Sequence, residues 1–302
     1  MNKFKAVILL LRLPFLTVTL GAVFLGTSFA WWHRRCFNSG YFVLALAGAC
    51  FLHIACNVAN DYFDFKSGND AANKSGLIPF SGGSRMVLDG FITPEKSLAI
   101  SVCFAVLGSV AGIYLNFILK GNVILLIGIV ALFFVYSYNG FPVKLVNKGL
   151  GEAAIFLAWG PLMVLGSYYV QTESIDSCWP LIVALPSGIM TTLVVFINEF
   201  ADRNADFSVG RKTWVIIFGY RKSLYIYLFL ALSCYMIVLA GVIFIGWPVW
   251  SVLAIATGPL PFIVFKTGLR NLENWEVFLP AVKATVLMNF LFLVILSISF
   301  LV

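Results

Sequence analysis

Long apolar runs separated by short polar interruptions organise this chain from end to end. Runs of about 20 apolar residues can be read near 6–32, 41–65, 97–119, 122–140, 151–172, 179–200, 223–246, 247–267 and 280–302. Each is long enough to cross a hydrocarbon core of about 30 Å as a helix. The pattern predicts an all-α polytopic membrane bundle of about nine transmembrane helices. Only Gly246, Trp247 and Pro248 punctuate the seventh and eighth runs, so eight and ten are the neighbouring counts. Three longer polar segments, 66–96, 141–150 and 201–222, all fall on one side of the membrane. Residues 1–302 read as a single transmembrane domain.

Composition supports the pattern. The chain is 61% hydrophobic and 11% charged, against about 25% charged in soluble domains. The net charge of +7 is explained by where the charges lie. With the N-terminus inside, Arg34, Arg35 and Lys120 fall outside, and the other seventeen of the 20 Lys and Arg fall on the inner side. This positive-inside bias supports nine spans independently. It predicts a cytoplasmic N-terminus, cytoplasmic polar loops and an external C-terminus. The acidic "QTESIDSC" segment falls outside, as it should. The basic excess therefore sets topology, and no nucleic-acid module is apparent.

Six cysteines lack metal-ligand spacing and read as buried free thiols. His33 and His53 are too far apart for a histidine metal site. Arg12 and Pro14 interrupt the first apolar run, which reads as an uncleaved helix rather than a signal peptide.

Acids at the ends of two spans carry the chemistry. "HIACNVANDYFDFKSGND", 53–70, places Asn57, Asn60, Asp61, Asp64 and Asp70 where the second span closes. An ionisable group at such a depth costs roughly 2.5 to 3.5 kcal/mol and marks a functional site. "INEFADRNADFSVGRKT", 197–213, closes the sixth span in the same way. Asn57-x-x-x-Asp61 matches Asn198-x-x-x-Asp202 at an offset of 141, and Asp64-Phe65-x-x-Gly68 matches Asp206-Phe207-x-x-Gly210 at 142. The spacing predicts two pseudo-repeated four-helix units plus a last helix, with both runs on the same membrane side.

On a helix, Asn57, Asp61 and Asp64 fall within an arc of roughly 60°, and Asn198, Asp202 and Asp206 within roughly 80°. Facing each other, the two helices would converge four carboxylates and two amides, a set that repels itself unless a cation binds. All-oxygen ligands beside room for phosphate suit Mg²⁺ and imply a diphosphate ligand. Read singly, either run would serve equally as a solvated helix end. Two runs of matching spacing on one face favour the shared site. Arg211, Lys212, Arg85 and Lys144 are the candidate phosphate partners, the glycine-rich "PFSGGSRMVLDG" offering backbone N–H groups. Aromatic residues, 16% of the chain, supply interfacial belts and ring faces able to stabilise a cation.

"NVANDYFD" and "NEFADRNAD" resemble the signatures of the UbiA family of intramembrane prenyltransferases. "YSYNGFPVKLVNKGLGE", "GPLMVLGSYYVQT" and "GRKTWVIIFG" are similar to the branch containing 1,4-dihydroxy-2-naphthoate polyprenyltransferases of menaquinone synthesis. The resemblance runs from "RLPFLT" to the ninth span. It implies a bundle around a central cavity open to lipid. Asn57, Asp61 and Asp64 would hold one magnesium and Asn198, Asp202 and Asp206 another. Asn60 and Asp70 would be secondary contacts. Many relatives carry an Asp where Gly68 stands; the naphthoate-like branch has the glycine, with an Asp two residues on, here Asp70. The implied reaction is electrophilic transfer of a polyprenyl group from its diphosphate to an aromatic acceptor, naphthoate first and 4-hydroxybenzoate or another quinone or lipid precursor second. Tyr136 and Tyr138 would orient the acceptor or pack at the interface.

Two other classes use membrane-embedded acids. Alcohol phosphotransferases acting on CDP-linked substrates need one tight acidic run, whereas these acids are split over 57–70 and 198–206. A cation-coupled transporter with inverted repeats needs equivalent ends on opposite sides of the membrane, and these two runs face the same side.

Overall fold

The computed structural model describes residues 3–73, 82–119, 121–271 and 278–302. Lys74 and Lys120 of the charge distribution, and Pro79, Phe80 and Ser81 of the glycine-rich segment, lie outside the described residues. Among the described residues all regular structure is helical. In chain order the α-helices are α1 Lys3–Leu11, α2 Leu16–Arg34, α3 Ser39–Ser67, α4 Asn69–Ala72, α5 Pro94–Leu119 and α6 Val123–Ser137. They continue as α7 Gly151–Leu157, α8 Met163–Thr172, α9 Trp179–Ser208, α10 Trp214–Ala240, α11 Pro259–Arg270 and α12 Leu279–Ser299.

Among the described residues, eight helical stretches are long and apolar enough to cross a membrane. A ninth, α6, has 15 residues, about 22 Å of helix, and falls short of a full hydrocarbon core. The fourth predicted span is thus present but short. The eighth begins as a 3₁₀ turn, Val249–Thr257, before continuing as α11. The turn at Gly246, with φ of 79°, and Pro248 separates it from α10, as the punctuation predicted.

Burial orders the bundle. In its most apolar stretch α9 is 72% buried, against 22% for α5, so α9 is the central post and α5 a peripheral stave. The main core gathers Phe29, Tyr168, Phe196, Phe200, Tyr227 and Phe292 from α2, α8, α9, α10 and α12. Gly160 lets the α7–α8 rod approach α9 closely: a Cβ there would stand 2.9 Å from the Gly188 Cα. Small residues at such crossings replace the hydrophobic drive that lipid removes.

Two departures from regular helix position the site. Arg12 adopts a left-handed conformation, φ 51°, between α1 and the 3₁₀ turn Leu13–Phe15, where Pro14 opens the next helix. The charge that interrupts the first apolar run therefore sits in a break, free to turn inward. Between α7 and α8, Pro161 cannot donate its missing N–H, and the helix widens to a π turn over Ala158–Leu162. Ser187 Oγ donates to the Trp159 carbonyl at 2.7 Å.

Candidate active site

The acidic ends of α3 and α9 meet in one cavity of about 190 Å³, which Asn57, Asn60, Asp64, Asn198, Asp202 and Asp206 help to line. Both helices end in the same way. Gly68 (φ 80°) and Gly210 (φ 77°) stand four residues after Asp64 and Asp206, in a conformation that costs other residues about 1–2 kcal/mol. Gly68 turns the chain back so that α4 carries Asn69, Asp70 and then Asn73 into the cavity wall. Gly210 does the same for Arg211. Asp70 at position 70 and Gly68 at position 68 are thus one device: the glycine makes the turn and the acid uses it.

The acids are deeply buried: Asp61 is 1%, Asp64 5%, Asp70 3% and Asp206 2% exposed. Arg211 bridges the two runs, donating to Asp206 Oδ1 at 2.8 Å and to Asp64 Oδ1. Arg12 pairs with Asp61, which also accepts from the backbone N–H of Ser84, 3.3 Å to Oδ2, and from its hydroxyl. Amides complete the set: Asn139 donates to Asp64 (3.1 Å), Asn69 to Asp206 (3.2 Å) and Asn73 to Asp202 (2.6 Å). Burial, followed by Asp64 and Asp61, pushes the Asp70 carboxyl up to about 8. Burial opposes the charge of Arg211, but Asp64 and Asp206 overcome it and raise its pKa above the ordinary arginine value.

Two guanidiniums therefore stand among carboxylates that helical spacing alone brings directly together. Among the described residues no three acid, His or Cys side chains form a ready metal-holding group; Arg12, Arg211 and the amides pair with the carboxylate oxygens. The donor set still suits a hard cation. Asp70 Oδ2 and the side-chain oxygens of Asn69, Asn73 and Asn198 are buried without a hydrogen-bond partner, and such orphaned oxygens are costly unless something binds them. Gly83 stands against the cluster: a Cβ there would lie 3.1 Å from Asp70 Oδ1, 3.2 Å from Arg12 Nη2 and 3.4 Å from Asp61 Oδ1.

The other candidates sit further out. Arg85 pairs with Asp89 at 3.5 Å and reaches the Asn73 carbonyl at 3.5 Å, at the rim. Lys144 caps the 3₁₀ turn Leu145–Lys148 in a left-handed conformation, and the Lys212 backbone N–H bonds the Val146 carbonyl at 3.0 Å while its side chain is exposed. None of the three lines the cavity. Tyr136 lies 3.5 Å from Ser101 Oγ, between α6 and α5, away from the cavity wall, whereas Tyr138 lines it. Sequence reasoning missed Arg12, Ser84, Asn139, Asn73 and Asn69, and also Glu199, a buried acid that lines the cavity. The signal for Arg12 was present: a lone charge beside a proline inside an apolar run.

A second cavity of about 220 Å³ adjoins the first. It is an apolar groove between α2, α3, α5, α6 and α8, with Leu44, Leu52, Ile127 and Leu132 among its lining residues. His53, Cys56, Tyr138, Ile155 and Trp159 line both spaces, so they form the seam between them. A charged chamber beside a greasy groove, with five residues shared between their walls, suits a molecule with a polyanionic head and a hydrocarbon tail.

The model of the UbiA prenyltransferase family matches residues 17–296. The chain belongs to this family. It is an integral, multi-pass prenyltransferase. Among its relatives, the 1,4-dihydroxy-2-naphthoate octaprenyltransferase of Bacillus subtilis is 26% identical over 287 residues, 95% of this chain and 89% of that protein. The 2-carboxy-1,4-naphthoquinone phytyltransferase of Synechocystis is 27% identical over 250 residues, 82% and 76% of the two chains. The solved structure of a UbiA homolog from Archaeoglobus fulgidus bound to GPP and Mg²⁺ shares the fold, with a TM-score of 0.61 and 15% identity over 98% of this chain and 100% of that one.

Proposed function

We propose that this family member transfers a polyprenyl group from an allylic diphosphate to 1,4-dihydroxy-2-naphthoate, at the cytoplasmic side of the membrane. The observation that carries the reading is that the acidic, arginine-bearing cavity adjoins the apolar groove at a seam of five shared residues. The diphosphate head belongs in the first space and the tail in the second. The naphthoate acceptor is favoured by the relatives, two of which bear names of naphthoate or naphthoquinone prenylation.

Asn57, Asp61 and Asp64 on α3, with Asn198, Asp202 and Asp206 on α9, would hold magnesium. Bound there, the metal would neutralise charge on the departing diphosphate. The chain's own groups do the rest. Arg12 and Arg211, now satisfied by carboxylates, present planar donors suited to phosphate oxygens. Gly82 and Gly83, with φ of 77° and 72°, keep that wall free of side-chain bulk. The apolar groove excludes water from the reacting carbon, so the ring rather than water captures it. Tyr138 and Trp159 offer ring faces to positive charge developing on the allyl group.

Membranes containing the chain, given a polyprenyl diphosphate with 1,4-dihydroxy-2-naphthoate or 4-hydroxybenzoate, test the reading by product mass. A magnesium-dependent prenylated naphthoquinol, lost in Asp64→Asn and Asp202→Asn, is the expected result. Product only from the benzoate would retain prenyl transfer and move the acceptor class. No product from either would sink the proposal.

A further inference from the structure

Thr19, His53 and Trp159 form a buried polar chain at the seam. Trp159 Nε1 donates to Thr19 Oγ1 at 3.1 Å, and Thr19 Oγ1 lies 2.7 Å from His53 Nδ1. An indole N–H can only donate, so Thr19 Oγ1 accepts from it, and among the described residues His53 Nδ1 is the acceptor within reach of the Thr19 hydroxyl proton, which therefore points to Nδ1. That arrangement favours the neutral His53 tautomer with its N–H on Nε2. The His53 and Trp159 rings meet edge to face, centroids 4.8 Å apart. The three residues come from α2, α3 and the π turn, and all are buried. Three separate elements thus converge on the orientation of one imidazole.

The Nε2–H is what this arrangement leaves over. Among the described residues His53 has no hydrogen-bond partner other than Thr19, and it lines both the polar cavity and the apolar groove. It stands one helical turn before Asn57 on α3. A ring that attacks the first carbon of a prenyl chain must lie here, beyond the diphosphate and beside the start of the tail. Isoprenoid tails have no oxygen for this donor, and the head lies deeper among the acids.

We propose that His53 is the positioning residue for the aromatic acceptor, its Nε2–H donating to an oxygen substituent on the acceptor ring, with Thr19 and Trp159 holding the imidazole in the donating tautomer. This rests on the prenyl-transfer reading above. It makes an oxygen on the acceptor a recognition element distinct from the diphosphate site.

Steady-state transfer by the full chain in membranes tests it, with KM measured separately for 1,4-dihydroxy-2-naphthoate and for the polyprenyl diphosphate. His53→Phe keeps the ring against Trp159 and removes the donor; the acceptor KM should rise roughly tenfold while the diphosphate KM stays unchanged. His53→Gln, which restores an N–H donor, should recover most of that loss. Thr19→Val should raise the acceptor KM less, because it frees the tautomer and leaves the imidazole in place. An unchanged acceptor KM in His53→Phe, or an equal rise in both constants, would overturn the inference and leave prenyl transfer standing. An inactive wild-type chain would overturn both.

Discussion

In the first acid run, α3 ends at Ser67 and the chain that turns back at Gly68 carries an acid, Asp70, into the cavity. In the second, α9 ends at Ser208 and the chain returning past Gly210 carries a base, Arg211. The two runs share their Asn, Asp, Asp-Phe and Gly positions, the second adding Glu199 and Arg203, and just beyond the glycines one carries an acid and the other a base. The first run has no base of its own in the site and takes its counter-ion, Arg12, from a break far back in the first span. The second supplies a guanidinium that serves both runs. The same turn thus does opposite electrostatic work, and the halves are complementary rather than equivalent. Buried charges are tolerable only when paired and hydrogen-bonded, so each half depends on what the other contributes.

Arg211→Ala should have the largest effect. It leaves Asp64 and Asp206 buried without their shared partner, a loss of about 3–5 kcal/mol in stability. It should also lower prenyl transfer by at least about a hundredfold. Arg211→Lys should recover part of the activity and less of the stability, since a point charge cannot span both acids as the fork does. Thermal unfolding in detergent and product formation in membranes read the two effects. If Arg12→Ala were equally damaging to Asp64-dependent activity, the asymmetry between the runs would be wrong.

The glycines come next. Gly68→Ala and Gly210→Ala should each cost about 1–2 kcal/mol, because both positions are left-handed. Asn, which tolerates that conformation, should be milder at either site. The first substitution should weaken binding through Asp70 and the second through Arg211, so Gly210→Ala should resemble a mild Arg211→Ala.

Asp70 gives a pH-dependent signature. Its folded pKa, raised to about 8 by burial and then Asp64 and Asp61, lies above the unfolded value of about 3.9. The folded state binds that proton more tightly, so the stabilisation is complete below about pH 4 and lost as pH rises through about 8. With metal chelated, Asp70→Asn should therefore raise the melting temperature at pH 8 and leave it unchanged near pH 4. An equal effect at both pH values would contradict the assignment. Smallest of all, Tyr136→Phe should leave both substrate KM values where they are, because its hydroxyl points to Ser101 between α5 and α6.

The spans and the acids were legible because they rest on local pattern: apolar length gives the helices, and helical spacing puts Asn57, Asp61 and Asp64 on one arc. What escaped depends on breaks in that pattern. Arg12 reads as one more inner-face charge until Pro14 and a left-handed residue turn it toward Asp61. Asn69 and Asn73 reach Asp206 and Asp202 only because Gly68 reverses the chain. Asn139 bonds Asp64 across 75 residues of sequence, a pairing no spacing rule encodes. Trp159 reaches the seam from a π turn whose signal, Pro161, looks like ordinary punctuation. Conversely, Arg85 and Lys144 looked like phosphate ligands because they are basic and near glycine or proline, yet Arg85 turns to Asp89 and the Asn73 carbonyl, and neither residue lines the cavity.

Whether the two runs form one site can be measured directly by a double-mutant cycle on Asp64→Asn and Asp206→Asn, reading polyprenyl diphosphate affinity in the presence of Mg²⁺. Both carboxylates share Arg211, so the double variant should bind little worse than the weaker single variant, a coupling of about 0.5–3 kcal/mol. Strict additivity of the two losses would mean that the runs act separately, and would contradict a single diphosphate site built between them.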